Sequence, residues 1–378
     1  MTKPRTLFVR SGLERTSLFT RLFTHLLLLH PNACHNACYH DGHSSTTRNR
    51  VWRPKADHVR LPDGVYVPTL AFFTESEDID TNTLERHLVR LINAGVAGIV
   101  VHGSNGEAVH LTREERSAMI RCAADTIHQE GHDVKMPLIA GCGAQSTRET
   151  LQLCRDAARS GASHALVLPP SYYGPLLDDD RVVRHFHEVA DASPIPLLVY
   201  NFPAAASGRD LSSDAIVRVA RHPNVAGVKL TCGNTGKLAR VADEAPEGFF
   251  VAGGSADFIL QGQVVGGNGS IAGLANVAPR ACVRIVELAA QGKMAEARRL
   301  QAVVARGDWV AIRTGFVGVK AAVGHFEQYG GAPRRPCVSP SPLELKDIVE
   351  GLSELHRLER DLEAQAMGVD EQKGGITD

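Results

Sequence analysis

Lys229 stands in an apolar run, Val225-Ala-Gly-Val-Lys229-Leu230, that reads as a short buried strand. An amine in such a place either pairs with a carboxylate or solvent at the strand end, or is kept for chemistry. Burial disfavours the ammonium and favours the free amine, the form that attacks a carbonyl carbon. Residues of complementary chemistry follow other apolar runs: His102-Gly-Ser104-Asn105-Gly-Glu107, Pro169-Pro-Ser-Tyr172-Tyr173-Gly, Tyr200-Asn-Phe-Pro203 and Gly253-Gly254-Ser255. The amine can form an imine with a ketone, and the protonated imine is an electron sink for breaking or making a carbon–carbon bond. A phenol such as Tyr200 can move the proton this requires. Backbone N–H groups and short polar side chains at Ser104 and Asn105 can hold a carboxylate, and the missing side chain of Gly254 leaves room for a ligand. Taken singly, each tyrosine has an ordinary packing role open to it.

The chemistry requires elements that bring these residues to one place. Eight short apolar runs recur: 65–73, 98–101, 137–140, 165–168, 196–200, 225–230, 249–252 and 270–274. Such runs, bounded by Gly or Pro, signal strands buried on both faces. Helical patterns lie between them. Leu84, Leu88, Leu91 and Ile92 share one face of a helix that Asp80 can cap. Thr112 with Glu115, and Ser146 with Glu149, have capping-box spacing at the next two helix starts. Eight strands alternating with helices over about 210 residues predict an α/β fold, a (β/α)8 TIM barrel whose active site lies at the C-terminal strand ends. The rival is an open doubly wound sheet. Gly141-Cys-Gly143 lacks its third glycine, and Gly233-Asn-Thr-Gly236-Lys237 lacks the Ser or Thr of a phosphate loop.

The chain has 378 residues, 43% hydrophobic and 22% charged, with a formal net charge of -1. That balance supplies no global field for nucleic acid or an anionic membrane, so small molecules and copies of itself are the expected partners. No apolar run reaches the length of a spanning helix. Eight scattered cysteines fit a reducing compartment. Cys34, His35, Cys38, His40 and His43 have zinc-ligand types at tight spacing but no partner knuckle, and no metal site is expected. They lie in an extension, residues 1–60, whose start is basic, hydroxylated and acid-poor, the composition of a mitochondrial presequence. The expected organisation is this extension, the barrel over 61–277, a C-terminal helical appendix over 278–365 and a disordered tail over 366–378.

The run Gly103-Ser-Asn-Gly-Glu107, the Tyr172-Tyr173 pair, Tyr200-Asn-Phe-Pro203 and Gly227-Val-Lys229, in this order, resemble the dihydrodipicolinate synthase and N-acetylneuraminate lyase superfamily of class I aldolases. The resemblance covers residues 61 to about 340, the barrel expected from the strand pattern and part of the helical segment after it. It implies a cofactor-free, metal-independent enzyme in which Lys229 forms a Schiff base with a pyruvate-type keto acid and Tyr200 transfers the proton. Ser104 and Tyr173 would relay that proton, Tyr173 reaching a neighbouring subunit's site in a homo-oligomer, a dimer of dimers. Ser104 and Asn105 would bind the keto acid's carboxylate, and Ile271 would line the pocket. Dihydrodipicolinate synthases place an arginine shortly after the tyrosine equivalent to Tyr200, whereas this chain reads Pro203-Ala-Ala-Ala-Ser-Gly208, and alanines cannot replace a bidentate guanidinium. Arg209 lies beyond the glycine and would have to fold back. The Ser-Asn turn and the Lys-Leu-Thr-Cys-Gly run from Lys229 look more like 4-hydroxy-2-oxoglutarate aldolases, whose mitochondrial forms also suit the basic N-terminus; a cytoplasmic location is the alternative. Aldolases of 2-keto-3-deoxy sugar acids, such as L-threo-3-deoxy-hexulosonate, are the close rival. An inactive keto-acid-binding barrel is the non-enzyme alternative. A metal-dependent aldolase is not expected, since no strand end carries the His and carboxylate cluster a catalytic ion needs.

Overall fold

The computed structural model describes residues 61–132 and 136–368. The expectations for residues 1–60 and for the end of the tail fall outside the described residues. Eight parallel strands close into a barrel in simple sequence order: β1 (Gly64–Pro68), β2 (Gly98–Val101), β3 (Leu138–Gly141), β4 (His164–Val167), β5 (Leu197–Asn201), β6 (Val225–Leu230), β7 (Phe250–Gly253) and β8 (Gly269–Ile271). Between and after them lie α1 (Thr81–Asn93), α2 (Arg113–Gln129), α3 (Thr147–Arg159), α4 (Asp179–Ala192), α5 (Ser213–Ala220), α6 (Thr235–Glu244), α7 (Ile259–Val264), α8 (Pro279–Ala290), α9 (Met294–Glu327) and α10 (Pro342–Ala366).

The alternation of side chains along each strand sorts them into two cores. Outward residues such as Val65, Val67, Ile99, Val101, Leu197, Val199, Val228 and Leu230 pack against the helices. Inward residues, among them Tyr66, Val100, Ile139, Leu166, Leu198, Tyr200, Phe250 and Ile271, fill the barrel. Burial on both sides is why the strands read as continuous apolar runs rather than as alternating ones.

All eight strands fall within the expected runs or one residue beyond them, and two are shorter than expected. The first run continues past Pro68 as buried loop: Leu70, Ala71 and Phe72 are inaccessible, and Phe73 makes an antiparallel bridge with Ile79. The last run leaves β8 at Ile271 and turns into a 3-10 helix over Gly273–Asn276, with Leu274 and Ala275 buried. Burial without regular pairing has the same sequence signature as a strand.

The helix starts follow their caps. Asp80 accepts from the Thr83 N–H, and Thr112 and Glu115 form a reciprocal capping box. At α3 Ser146 accepts from the Glu149 N–H without the return bond. α8 packs on β1 and α7 and completes the eighth strand–helix unit, so the first helix after residue 278 belongs to the barrel alternation rather than to the appendix. α9 and α10 then pack on each other and on α8. α9 is broken at Gly315, whose φ of 62° and ψ of -161° only a residue without a Cβ adopts readily.

Candidate active site

Parallel pairing of β5 with β6 sets Tyr200 opposite Lys229. Both side chains therefore point into the barrel from adjacent strands. The Lys229 amine donates to the Tyr200 hydroxyl at 3.3 Å, and Nζ sits 4.3 Å from the centroid of the tyrosine ring. Lys229 is 3% exposed and Tyr200 4%. The phenol ring stacks on Phe202 with centroids 5.7 Å apart, so the hydroxyl is held by packing on one side and by the amine on the other. No carboxylate is placed on Lys229 by the hydrogen bonds and ion pairs of the described residues. This is not the strand-end lysine satisfied by an acid.

A cavity of about 400 Å3 opens over this pair. Its floor and near wall are Lys229, Tyr200, Phe202, Ser104 and Asn105, and its far wall comes from the turn after β7 and from α9. Of the residues expected from the sequence, Lys229, Tyr200, Ser104, Asn105 and Gly254 meet around this one space. Ile271 does not. It is inaccessible, packed inside the barrel with Tyr200 and Phe250, and is absent from the cavity lining. Tyr173 does not line the cavity of its own chain either; it is 64% exposed and stands edge-on to Tyr172 with centroids 5.0 Å apart.

Gly254 has a different reason to be glycine from the one expected. A Cβ there would lie 1.9 Å from Thr231 Oγ1 and 2.7 Å from Thr231 Cα, so the space is taken by protein rather than left for a ligand. The close approach sets Thr231 beside the amine's strand end, where its Oγ1 is buried without a protein partner. The loop after β5 is tied down away from the cavity: Asn201 donates to Asp210 at 2.8 Å and accepts from the Leu211 N–H at 2.9 Å. Arg209 does not fold back toward the amine. Its guanidinium donates to the carbonyls of Gly174 and Leu177 and so braces the turn that carries Tyr173.

Sequence reasoning missed the acidic wall. Asp308 of α9 is 3% exposed, and its Oδ2 accepts from the Ser255 hydroxyl at 2.6 Å and from the Ala256 and Asp257 N–H groups at 2.7 and 2.9 Å. Burial pushes its carboxyl up to about 6, against the opposing pull of the Ser255 hydrogen bond. Asp257, whose Oδ1 is buried without a partner, is raised by burial too. The available signals were an acid in an otherwise helical apolar pattern and a glycine seven residues on, at Gly315.

The arrangement sets a buried lysine amine in contact with a phenol at the base of a pocket of small-molecule size. A model of the dihydrodipicolinate synthetase family matches residues 61–354. The chain belongs to this family. A protein of Emericella nidulans named "Probable 4-hydroxy-2-oxoglutarate aldolase, mitochondrial" is 55% identical over 305 residues, covering 81% of this chain and 98% of that protein. An L-threo-3-deoxy-hexylosonate aldolase of Hypocrea jecorina is 46% identical over 311 residues, covering 80% and 98%. Among solved structures, a dihydrodipicolinate synthase family protein from Coccidioides immitis is similar with a TM-score of 0.73 and 35% identity, over 80% of this chain and 99% of that one. The chain is thus a carbon–carbon lyase, an aldolase of this family on a TIM barrel. Among its described residues no helix is long and apolar enough to cross a membrane.

Proposed function

We infer that the chain is a Schiff-base aldolase that cleaves 4-hydroxy-2-oxoglutarate to pyruvate and glyoxylate. The observation that carries this reading is the 3.3 Å contact between the buried Lys229 amine and the Tyr200 hydroxyl at the base of the cavity. The amine adds to the C2 carbonyl and water leaves, giving an iminium. Tyr200 removes the proton of the C4 hydroxyl, directly or through Ser104, and the C3–C4 bond breaks with its electron pair entering the iminium. Glyoxylate departs, the enamine takes a proton at C3, and water releases pyruvate from Lys229. Ser104 and Asn105 hold the keto acid's C1 carboxylate. Borohydride reduction in the presence of pyruvate is expected to add a stable mass to the peptide containing Lys229. A label on another lysine, or none, rules the mechanism out.

One observation favours the rival substrate, a 3-deoxy-hexulosonate that yields pyruvate and a neutral hydroxy-aldehyde. Among the residues that line the cavity Lys229 is the one basic side chain, while Thr231, Ser255, Asp257 and Asp308 offer hydroxyls and carboxyls. Such a wall suits a hydroxylated tail better than a second carboxylate. The 46% identical relative carries that activity in its name. Specificity constants for the two substrates, measured side by side, decide between them.

The reading extends to assembly and location. The Tyr172 and Tyr173 rings, 76% and 64% exposed, and Val109, 90% exposed, suit burial against a second copy of the chain in a homo-oligomer, a dimer of dimers, with Tyr173 completing the neighbour's proton relay. Sedimentation of wild type and Tyr173→Ala tests this: a monomeric wild type with full activity removes the relay. Residues 1–60 are proposed to direct mitochondrial import, supported by their acid-poor basic start and by the relative's name. A fluorescent fusion of that segment that stays in the cytoplasm refutes it.

A further inference from the structure

Glu107 ends the turn that carries Ser104 and Asn105, and its carboxylate is enclosed by partners from distant parts of the chain. Oε1 accepts from Lys320 Nζ at 2.9 Å. Oε2 lies 2.9 Å from His110 Nδ1 and accepts from the Arg334 N–H at 3.0 Å. The Lys320 and Glu107 side chains are 1% and 0% exposed. Lys320 also lies 4.5 Å from the centroid of the Phe73 ring, which closes its remaining side. The backbone of Glu107 is left-handed, with φ 51°, and so is that of His102 at the other end of the turn, with φ 58°. Residues with a Cβ hold that conformation only where their surroundings enforce it.

A buried ion pair is a poor way to gain stability alone, because removing two charges from water offsets most of their attraction. An apolar pair would serve a merely structural contact as well. What an ion pair adds is direction: Glu107 is accommodated in one orientation, and a shift of the turn would leave a bare carboxylate in the interior. The other end of the tether lies in the cavity wall, since Phe316 and Val319, within the turn of α9 that leads to Lys320, line the cavity. Asn105 itself lies close against Gly273, where an added Cβ would come within 2.7 Å of its amide nitrogen.

We propose that the Glu107–Lys320 pair is a positioning device that fixes the Ser104–Asn105 turn against the α9 wall, in the geometry that grips the keto acid's carboxylate. Neither side chain lines the cavity; both act through the turn. The proposal rests on the reading of that turn as the carboxylate site, which Ser104→Ala tests separately. The measurement is the pyruvate concentration that half-saturates borohydride trapping on Lys229, together with the maximal trapping rate. Glu107→Gln is expected to raise the half-saturating concentration about tenfold and to leave the maximal rate within about threefold, the signature of lost ground-state binding. A half-saturating concentration equal to wild type, whatever the melting temperature, overturns the proposal. Should Glu107→Gln not accumulate as folded protein, the paired exchange Glu107→Leu with Lys320→Met, which leaves neither partner charged, takes its place under the same two outcomes. Weakened binding in Ser104→Ala beside unchanged binding in Glu107→Gln sinks only the positioning role. Unchanged binding in Ser104→Ala sinks the carboxylate reading on which it rests.

Discussion

Removing one oxygen from Tyr200 separates proton transfer from everything else that side chain does. In Tyr200→Phe the ring remains, still stacked on Phe202 and still beside Lys229 in the β5–β6 register. What disappears is the acceptor 3.3 Å from the Lys229 amine. The loss of one such hydrogen bond costs about 1 kcal/mol net, so folding and keto-acid binding should be nearly unchanged. In the proposed mechanism the proton, by contrast, loses its carrier at the reacting atoms, and positioned acid–base groups contribute roughly 10²–10⁴-fold. The expectation is a fall in kcat on the order of 10²–10³, equivalent to about 3–4 kcal/mol of barrier, with half-saturation by pyruvate in borohydride trapping within about threefold of wild type. Cleavage is followed by coupled detection of pyruvate, and trapping by mass of the Lys229 peptide. Equal losses in turnover and binding would mean that the hydroxyl only shapes the pocket. Undiminished turnover would remove Tyr200 from the mechanism.

Two further predictions concern the frame around the site. Glu359 of α10 accepts from the Arg280 and Ala281 N–H groups at the start of α8, and burial raises its carboxyl from 4.5 to about 7. An acid raised on folding stabilises fully below its unfolded value, and that contribution is lost as pH rises through about 7. The melting temperature should therefore fall as pH rises from about 4.5 to about 7 by the equivalent of on the order of 3 kcal/mol, and Glu359→Gln should flatten that slope; an unaltered slope in the variant assigns it to other groups. Gly254→Ala forces a Cβ into Thr231, whose Cα as well as Oγ1 is in the way, and overpacking of this kind costs about 1–3 kcal/mol. Thr231→Ala should not rescue it, and a rescued double variant would show that only the hydroxyl collides.

The legible part of the site followed from strand ends. Tyr200 and Lys229 stand at the C-terminal ends of apolar runs, and a barrel in sequence order puts the ends of such runs at one rim. Ser104 and Asn105 were legible as a polar turn directly after an apolar run. Ile271 was not placed correctly because the depth of an inward side chain within the barrel depends on what fills the layers around it, here Tyr66, Phe250 and Tyr200. The role of Gly254 was misjudged because a missing side chain has the same letter whether a ligand or Thr231 fills the space. The acidic wall was missed because Asp308 reaches the turn after β7 only through the packing of α9 back across the barrel, a contact spanning 53 positions.

Residue type and periodicity alone determined the eight strands, the caps of the first three helices, a lysine and a tyrosine at strand ends and the absence of an arginine in the stretch directly after Tyr200. These are local properties, carried by burial preference and by hydrogen bonds within a few residues. Tertiary structure decided the rest: that Tyr200 and Lys229 face each other in register, that Arg209 braces the Tyr173 turn instead of entering the cavity, and that α9 supplies a wall. Those outcomes depend on the closing of a barrel and the docking of helices far apart in the chain, where the energy of each contact belongs to pairs of distant residues rather than to any one stretch of sequence.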